Sequence, residues 1–467
     1  MSNRPVAARD KSLQVNLDPR YYGAFAEIGA GQEVVRWFFR AGGAAGTISK
    51  SISAYDMKVS DAIYGPCARY VCRERLQAML DHEQQLNLER LAAQRGADTA
   101  FFAFADTVSA RSFHGNNECH GWMGIKFQVR PGGADNQIIV HVRMLDIENG
   151  LQQEALGIVG VNLVYGACFL SDQPEQLVES LLDGLSTDRI EIDLIELSGP
   201  ELDHIDNRVM SLRLVQLGLT GAAMFSANGE VLQPAEVLYK KPVLIERGRF
   251  RPVTHVNLDL ARSALRAFEA EWPNDVAPGE TVPIMEITMS NLMADGEVDL
   301  SDFISRADVL ATTGHTVMIS NFPEYYRLAA YLFRYTQRRI GLAMGVQNLT
   351  QIFDEQYYTT LDGGILESFG RLFRNNLKLF IYPHMDARSG KLDTVETMQV
   401  PEALRHLYSH LVERRSIVQL ADFNRKYLSI YSPDVLGKIG SGSNEWESMV
   451  PPEAAQAIKA RRLFGYR

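Results

Sequence analysis

Short apolar runs alternate with stretches of helical period over much of the chain. The clearest series lies between Val282 and His384. Pro283-Ile-Met-Glu-Ile-Thr-Met289, Thr316-Val-Met-Ile-Ser320, Ile340-Gly-Leu-Ala-Met-Gly-Val346 and Lys378-Leu-Phe-Ile-Tyr382 have strand length and composition. Between them, 300–310, 324–338 and 365–376 have amphipathic helical spacing. That alternation predicts parallel βαβ units buried on both faces. The rhythm begins near Gly157, and eight strands are expected: Val159–Tyr165, Arg189–Leu194, Ala222–Phe225, Pro283–Met289, Thr316–Ser320, Ile340–Val346, Lys378–Tyr382 and Ile417–Leu420. Helices are expected at Pro174–Leu182 and Asp206–Leu217.

The fold class expected is α/β, a closed (β/α)8-type barrel preceded by a smaller α+β domain. An open doubly wound sheet is the competitor, and its G-x-G-x-x-G turn is missing. Residues 1–20 read as a mobile tail, 21–150 as the α+β domain, and 151–425 as the barrel with an insertion at 227–281. Residues 426–467 read as a C-terminal loop and helix extension. Within the first 150 residues, Gln32–Ala41 and Arg73–Arg95 have helical patterns. Three strand-like runs follow, Ala100–Val108, Trp122–Val129 and Gln137–Leu145, the last two joined by Pro131-Gly132-Gly133. The insertion is expected to carry a hairpin around Val231–Ile245.

Strand parity selects candidate chemistry. Glu286, Thr288 and Ser290 share one face of their strand, opposite Met285, Ile287 and Met289; Asp193 and Glu191 likewise oppose Ile190, Ile192 and Leu194. The apolar sets should face the outer helices and the polar sets the lumen. Asp193 or Glu286 would then act as acid or base, with His384 at a strand end as proton shuttle or ligand, and Lys378 as a partner. A buried structural network gives the same pattern, as does a one-residue register slip.

Three other patterns concern anions and metals. Lys240 and Lys241, then Arg247-Gly-Arg249-Phe-Arg251, form a basic cluster suited to phosphate, or else a solvated hairpin. Arg388 and Lys391, with Gly440 and Gly442, lie where barrel loops often cradle phosphate; a flexible linker would read the same. His114-Gly-Asn-Asn-Glu-Cys119-His120 lacks a fourth zinc ligand and reads as a polar hairpin loop. No metal site is expected.

The chain has 467 residues, 46% hydrophobic content and a net charge of -10, with four scattered cysteines. That composition suits a globular protein of two or more domains in a reducing compartment and disfavours general nucleic-acid binding. The polar N-terminus carries no secretory pattern, and 158–170 is too short to span a bilayer. The expectation is a cytoplasmic protein without membrane attachment.

Tyr22-Gly-Ala-Phe-Ala-Glu-Ile-Gly-Ala-Gly-Gln-Glu33, Gln233-Pro-Ala-Glu-Val-Leu-Tyr-Lys-Lys-Pro242 and Phe250-Arg-Pro-Val-Thr-His-Val-Asn257 resemble a bacterial family commonly labelled nicotinic acid mononucleotide adenylyltransferase. That resemblance implies an enzyme of NAD metabolism, although the H-x-G-H phosphate motif of such enzymes is not found in this sequence. By architecture alone, the nicotinate phosphoribosyltransferases are also similar. The expectation is a nucleotidyl- or phosphoribosyl-transferase acting on a small phosphorylated or nucleotide-like substrate, as a homo-oligomer. No cofactor is specified by the sequence; Mg2+ would accompany a nucleotide. The alternative is a non-catalytic scaffold built on an enzyme-like fold.

Overall fold

The computed structural model describes residues 6–112, 115, 118–294, 297–386 and 390–467. The chain divides into two compact units, 1–220 and 221–467. Both are mixed α/β. No described helix is long and apolar enough to cross a membrane.

The first unit runs α1 (Ala8–Leu17), β1 (Tyr21–Gly29), α2 (Val34–Ala41), β2 (Ile48–Ala54), α3 (Met57–Tyr64), α4 (Arg73–Arg95), β3 (Ala100–Ser109), β4 (His120–Gln128), β5 (Asp135–Met144), α5 (Asn149–Phe169), α6 (Pro174–Ser180), β6 (Ile190–Ser198) and α7 (Asn207–Gln216). Its sheet has the order β2-β1-β3-β4-β5-β6. β1 is parallel to β2 and β3, and the other pairs are antiparallel. One core joins sheet residues such as Phe25, Phe104, Ile125 and Val140 to α2 and α5.

Two expected barrel strands fall in this unit. Val159–Tyr165 is not a strand; it is the middle of α5, a helix of 21 residues. A short β-branched run does not distinguish strand from buried helix, and the small residues beside it decide the matter. Gly160 lets α5 approach α2 closely, since a Cβ there would lie 2.3 Å from a Val34 methyl carbon. The second run forms β6 and pairs with β5, outside the other unit's sheet. Residues 8–17, read as tail from their polarity, form α1. Its Lys11 is buried, donates to Asn162 Oδ1 at 2.9 Å and pairs with Asp183 at 2.7 Å.

The second unit begins with β7 (Ala222–Phe225), β8 (Val231–Leu232), α8 (Pro234–Leu238), β9 (Val243–Arg247), α9 (His255–Glu271) and β10 (Val282–Thr288). It continues through α10 (Met289–Leu292), β11 (Met293–Ala294), β12 (Glu297–Val298), α11 (Leu300–Ala311), β13 (Thr316–Ser320), α12 (Tyr325–Leu332), β14 (Ile340–Gly345), α13 (Val346–Ile352), α14 (Gly364–Leu372) and β15 (Lys378–Tyr382). It ends with β16 (His384–Met385), β17 (Leu392–Asp393), α15 (Arg405–Glu413), β18 (Ile417–Gln419), α16 (Ser432–Ser441) and α17 (Pro452–Arg461). The main sheet has the order β18-β15-β14-β9-β10-β13-β7-β8.

Six of these strands are parallel, and the β7–β8 hairpin is antiparallel at one edge. Taken in chain order, the six parallel strands lie in space as 3-2-1-4-5-6, the doubly wound arrangement, with its switch point between β9 and β14. The remaining expected strands therefore meet in an open sheet, and no closed ring of strands is found among the described residues. Its central strand is β9, inside the segment read as an insertion. Helices cover both faces. Leu244, Ala343 and Phe380 pack under Leu260, Ala264 and Phe268 of α9. Ile245, Leu342, Met344 and Ile381 pack under Leu328, Leu332 and Phe369 of α12 and α14.

Candidate functional site

Parallel strands of a doubly wound sheet all end at one edge, and the helices leaving the switch point diverge there, so a crevice opens. In the second unit this crevice has a volume of about 570 Å³ and is lined from the ends of β9, β10, β14 and β15. Gly248, Arg249 and Asn257 come from one side, Gln347 and Asn348 from the other, and His384 follows β15.

Glu246 belongs to this lining and is buried. Its Oε1 accepts a hydrogen bond from Asn257 Nδ2 at 3.0 Å, while Oε2 has no partner among the described residues. Burial pushes its pKa up to about 8, and the Asn257 bond offsets only part of that. The group is therefore a neutral acid at pH 7. Asn257 itself is held by the start of α9, where its Oδ1 accepts from the Thr254 amide and hydroxyl, both at 3.0 Å. On the same crevice, Tyr382 donates to Asp259 at 2.7 Å, and Asp259 accepts the Asn424 amide.

Glu286 lies in β10 opposite Arg247 of β9. It is buried and accepts two bonds from the Arg247 guanidinium, at 2.8 and 2.9 Å, and one from Ser320 at 2.5 Å. Arg247 also donates to the Phe322 and Pro323 carbonyls and stacks on Tyr325 with 4.3 Å to the ring centroid. Both groups are satisfied by protein, so neither is presented to a ligand as a free charge. Lys378 sits at the other end of its strand and is paired with Glu271. The expected mutual network of Asp193, Glu286, Lys378 and His384 is thus three separate pairings, with His384 alone placed in the crevice.

The expected phosphate ligands scatter. Lys240 and Lys241 precede β9, so a strand of roughly 16 Å separates them from the crevice edge. Lys391 is exposed in the β16–β17 turn and is not part of the crevice lining. Arg388 lies outside the described residues, as does His114. Gly440 is within α16 and Gly442 caps its C-terminus at φ +77°. There the amides serve the helix and the dipole is negative, the wrong end for an anion.

Asp193 lies in the first unit. The β5–β6 register pairs His141 with Leu194 and Val142 with Ile192, leaving Asp193 as the extra residue of a bulge. The bulge aims its carboxylate at His141 Nδ1, 2.6 Å away, and His141 Nε2 lies 3.0 Å from His120 Nδ1. Burial and the neighbouring His141 lower the His120 pKa to about 4. A second buried pair, Glu27 and Asp106, sits side by side on β1 and β3. Glu27 accepts the Val34 and Val35 amides at 2.8 and 3.3 Å, and burial lifts its pKa to about 7. Burial and the Glu27 charge raise Asp106 well above the usual carboxylate range. Among the described residues, no group of three or more His, Cys, Asp or Glu side chains is arranged to hold a metal ion.

Glu246, Arg249 and Asn257 were missed by strand parity. Arg249 carried a sequence signal as part of the basic cluster, and Asn257 as the end of the Phe250–Asn257 stretch that carries the resemblance; Glu246 had neither.

No protein-family model matches the chain, and no curated protein sequence matches it. Among solved structures, the chain is similar to the competence/damage inducible protein CihA from Agrobacterium tumefaciens, at 15% identity over 36% of this chain and 99% of that one, with a TM-score of 0.26. A competence or damage-inducible protein from Enterobacter asburiae gives 10% identity over 34% of this chain and 95% of that one, with a TM-score of 0.25. The Plasmodium falciparum nicotinic acid mononucleotide adenylyltransferase complexed with APC gives 12% identity over 49% of this chain and 98% of that one, with a TM-score of 0.29.

Proposed function

We propose that the 221–467 unit binds a small phosphorylated, nucleotide-like metabolite in the switch-point crevice. The observation that carries this reading is the crevice itself, at the place where doubly wound sheets take ligands, with the buried neutral acid Glu246 in its lining. Glu246 offers a hydrogen bond to a ligand hydroxyl or ring nitrogen. Arg249, exposed on the β9–α9 loop, and His384 supply the groups for phosphate.

The finer reading is nucleotidyl or phosphoribosyl transfer in nicotinate nucleotide metabolism, and it rests on the resemblance. Adenylyltransferases with H-x-G-H place two histidines three residues apart on an early strand–helix turn. The turn after β9 carries Thr254-His-Val-Asn257, and Thr254 and Asn257 are bonded to each other. This favours recognition over phosphate activation at that turn.

Calorimetry with nicotinate mononucleotide, ATP (with and without Mg2+) and phosphoribosyl pyrophosphate tests the proposal. Binding of at least one, weakened ten-fold or more by Arg249→Ala and unchanged by Lys241→Ala, is expected, since one charge-assisted contact contributes roughly 1.5–3 kcal/mol. No heat from any of the three refutes it.

A further inference from the structure

Two cysteine sulfurs of the 1–220 unit touch. Cys67 Sγ, partly exposed, lies 3.7 Å from the buried Cys72 Sγ, and all four cysteines of the chain are free thiols. A disulfide needs the sulfurs closer by roughly 1.7 Å, a shift within the reach of χ1 rotation at the two residues.

The connection between α3 and α4 is built to hold this contact. Arg75, buried in the first turn of α4, donates to Asp61 Oδ1 at 2.7 Å and to the Gly65 carbonyl at 2.9 Å. It thereby grips the last turns of α3 and the residue that follows them. The Tyr70 hydroxyl donates to Asp61 Oδ2 at 2.8 Å, and the Tyr70 carbonyl accepts the Thr107 hydroxyl of β3. Cys72 is the N-cap of α4: its Sγ accepts the Arg75 amide at 3.4 Å and donates to the Arg69 carbonyl at 3.0 Å. The segment from Gly65 to Cys72 is thus pinned at both ends and in its middle.

The surroundings give the two sulfurs different roles. Burial pushes the Cys72 thiol up to about 12, so it stays protonated at pH 7. Cys67 is the sulfur that an oxidant in solution reaches first. An oxidised cysteine with a second thiol in contact closes to a disulfide, whereas an isolated one goes on to sulfinic acid.

We propose that Cys67 and Cys72 are a redox-active dithiol, with Cys67 the nucleophile toward a hydroperoxide and Cys72 the resolving thiol. The Cys67 sulfur attacks one peroxide oxygen; an S–O bond forms, the O–O bond breaks, and the other oxygen leaves with the Cys67 proton. The Cys72 sulfur then attacks the sulfenic sulfur; the S–S bond forms, the S–O bond breaks, and hydroxide leaves as water with the Cys72 proton. Two thiols and one hydroperoxide become one disulfide, one alcohol (water, for hydrogen peroxide) and one water. Two electrons pass from the sulfur pair to the O–O bond. The product ties the start of α4 to the loop before it and takes the thiol proton away from the Arg69 carbonyl. The site does not depend on the reading of the crevice.

The full native chain treated with equimolar hydrogen peroxide, alkylated with N-ethylmaleimide and digested with trypsin tests this. Arg69 lies between the two cysteines, so cleavage there separates peptides 59–69 and 70–73. After peroxide these two peptides are expected joined, two hydrogen atoms lighter than their sum, and separate again after reduction. Cys67 should be consumed about ten-fold faster than the partly exposed Cys119, and the difference should vanish in urea. In Cys72→Ser, where serine keeps the N-cap, dimedone should trap a sulfenic acid on Cys67. Cys67→Ser should give no link and no dimedone adduct at Cys72. A wild-type chain in which Cys67 reaches sulfinic acid unlinked, or loses its thiol no faster than Cys119, overturns the proposal; neither result needs a variant that folds. Dimedone on Cys72 in Cys67→Ser, in the yield found on Cys67 in Cys72→Ser, overturns the assignment of roles.

Discussion

Replacing Glu286 by alanine leaves the Arg247 guanidinium buried without its carboxylate. The pair is bidentate, Glu286 is 0% exposed and Arg247 9%. Removing one partner of such a pair costs about 3–5 kcal/mol, because the survivor's desolvation is no longer offset. The surroundings set where each variant falls in that range. After Glu286→Ala, Arg247 keeps the Phe322 and Pro323 carbonyls and the Tyr325 ring, so about 3 kcal/mol is expected. After Arg247→Ala, Glu286 keeps only Ser320 among the described residues, which puts the loss nearer 5 kcal/mol unless the carboxyl protonates. The double variant Arg247→Met, Glu286→Leu should recover most of the loss, since an apolar pair of similar volume carries no desolvation cost. The chain has two compact units, so one melting curve does not isolate this one. Hydrogen exchange in urea, read on peptides spanning β9, β10 and β13, does. If Glu286→Ala costs under about 1 kcal/mol and abolishes ligand binding, Glu286 is a functional acid and the structural argument is refuted.

Two further outcomes follow from buried carboxyls. The Glu246 pKa, raised to about 8, means that the folded state holds a proton the unfolded state has lost, so stability falls as pH rises from about 4.5 to 8. Glu246→Gln should flatten that slope for the second unit, by at most a few kcal/mol across the window; an unchanged slope by hydrogen exchange at pH 5.5 and 8.0 refutes it. In the first unit a Cβ on Gly31 would lie 1.9 Å from Asp106 Oδ1. Gly31→Ala should therefore cost about 1–3 kcal/mol in urea unfolding and be rescued in part by Asp106→Ala; a Gly31→Ala loss below about 0.5 kcal/mol contradicts the packing.

Periodicity made much of both units legible, but not α1, read as a tail, or α5, whose middle read as a strand. Arg73–Arg95 and the runs that form β10, β13, β14 and β15 stand where their patterns put them. Parity within β10 and β15 also holds as alternation. What it cannot give is which face meets a lumen, because helices cover both faces of this sheet. The central strand was hidden for a different reason. Val243–Arg247 has only three apolar residues, is preceded by Lys240-Lys241-Pro242, and ends in two charges. Counting strands without β9 turned an open sheet of order 3-2-1-4-5-6 into an eight-fold rhythm.

The contrast between Glu286 and Glu246 shows why the site was harder to read than the fold. Both are glutamates buried inside adjacent parallel strands; in the sequence Glu286 stands between Met285 and Ile287, and Glu246 between Ile245 and Arg247. Register decides their chemistry. It sets Glu286 beside Arg247, on the α12 side, so its charge is neutralised and it ties β10 to β9. It sets Glu246 beside Met285 and Ala343, where no cation is available, so burial drives the carboxyl to its neutral form. A carboxyl that finds an ion pair is spent on structure; one that finds only an amide retains an oxygen for a ligand. The partner comes from a neighbouring strand, so the distinction cannot be drawn until the strand order is known.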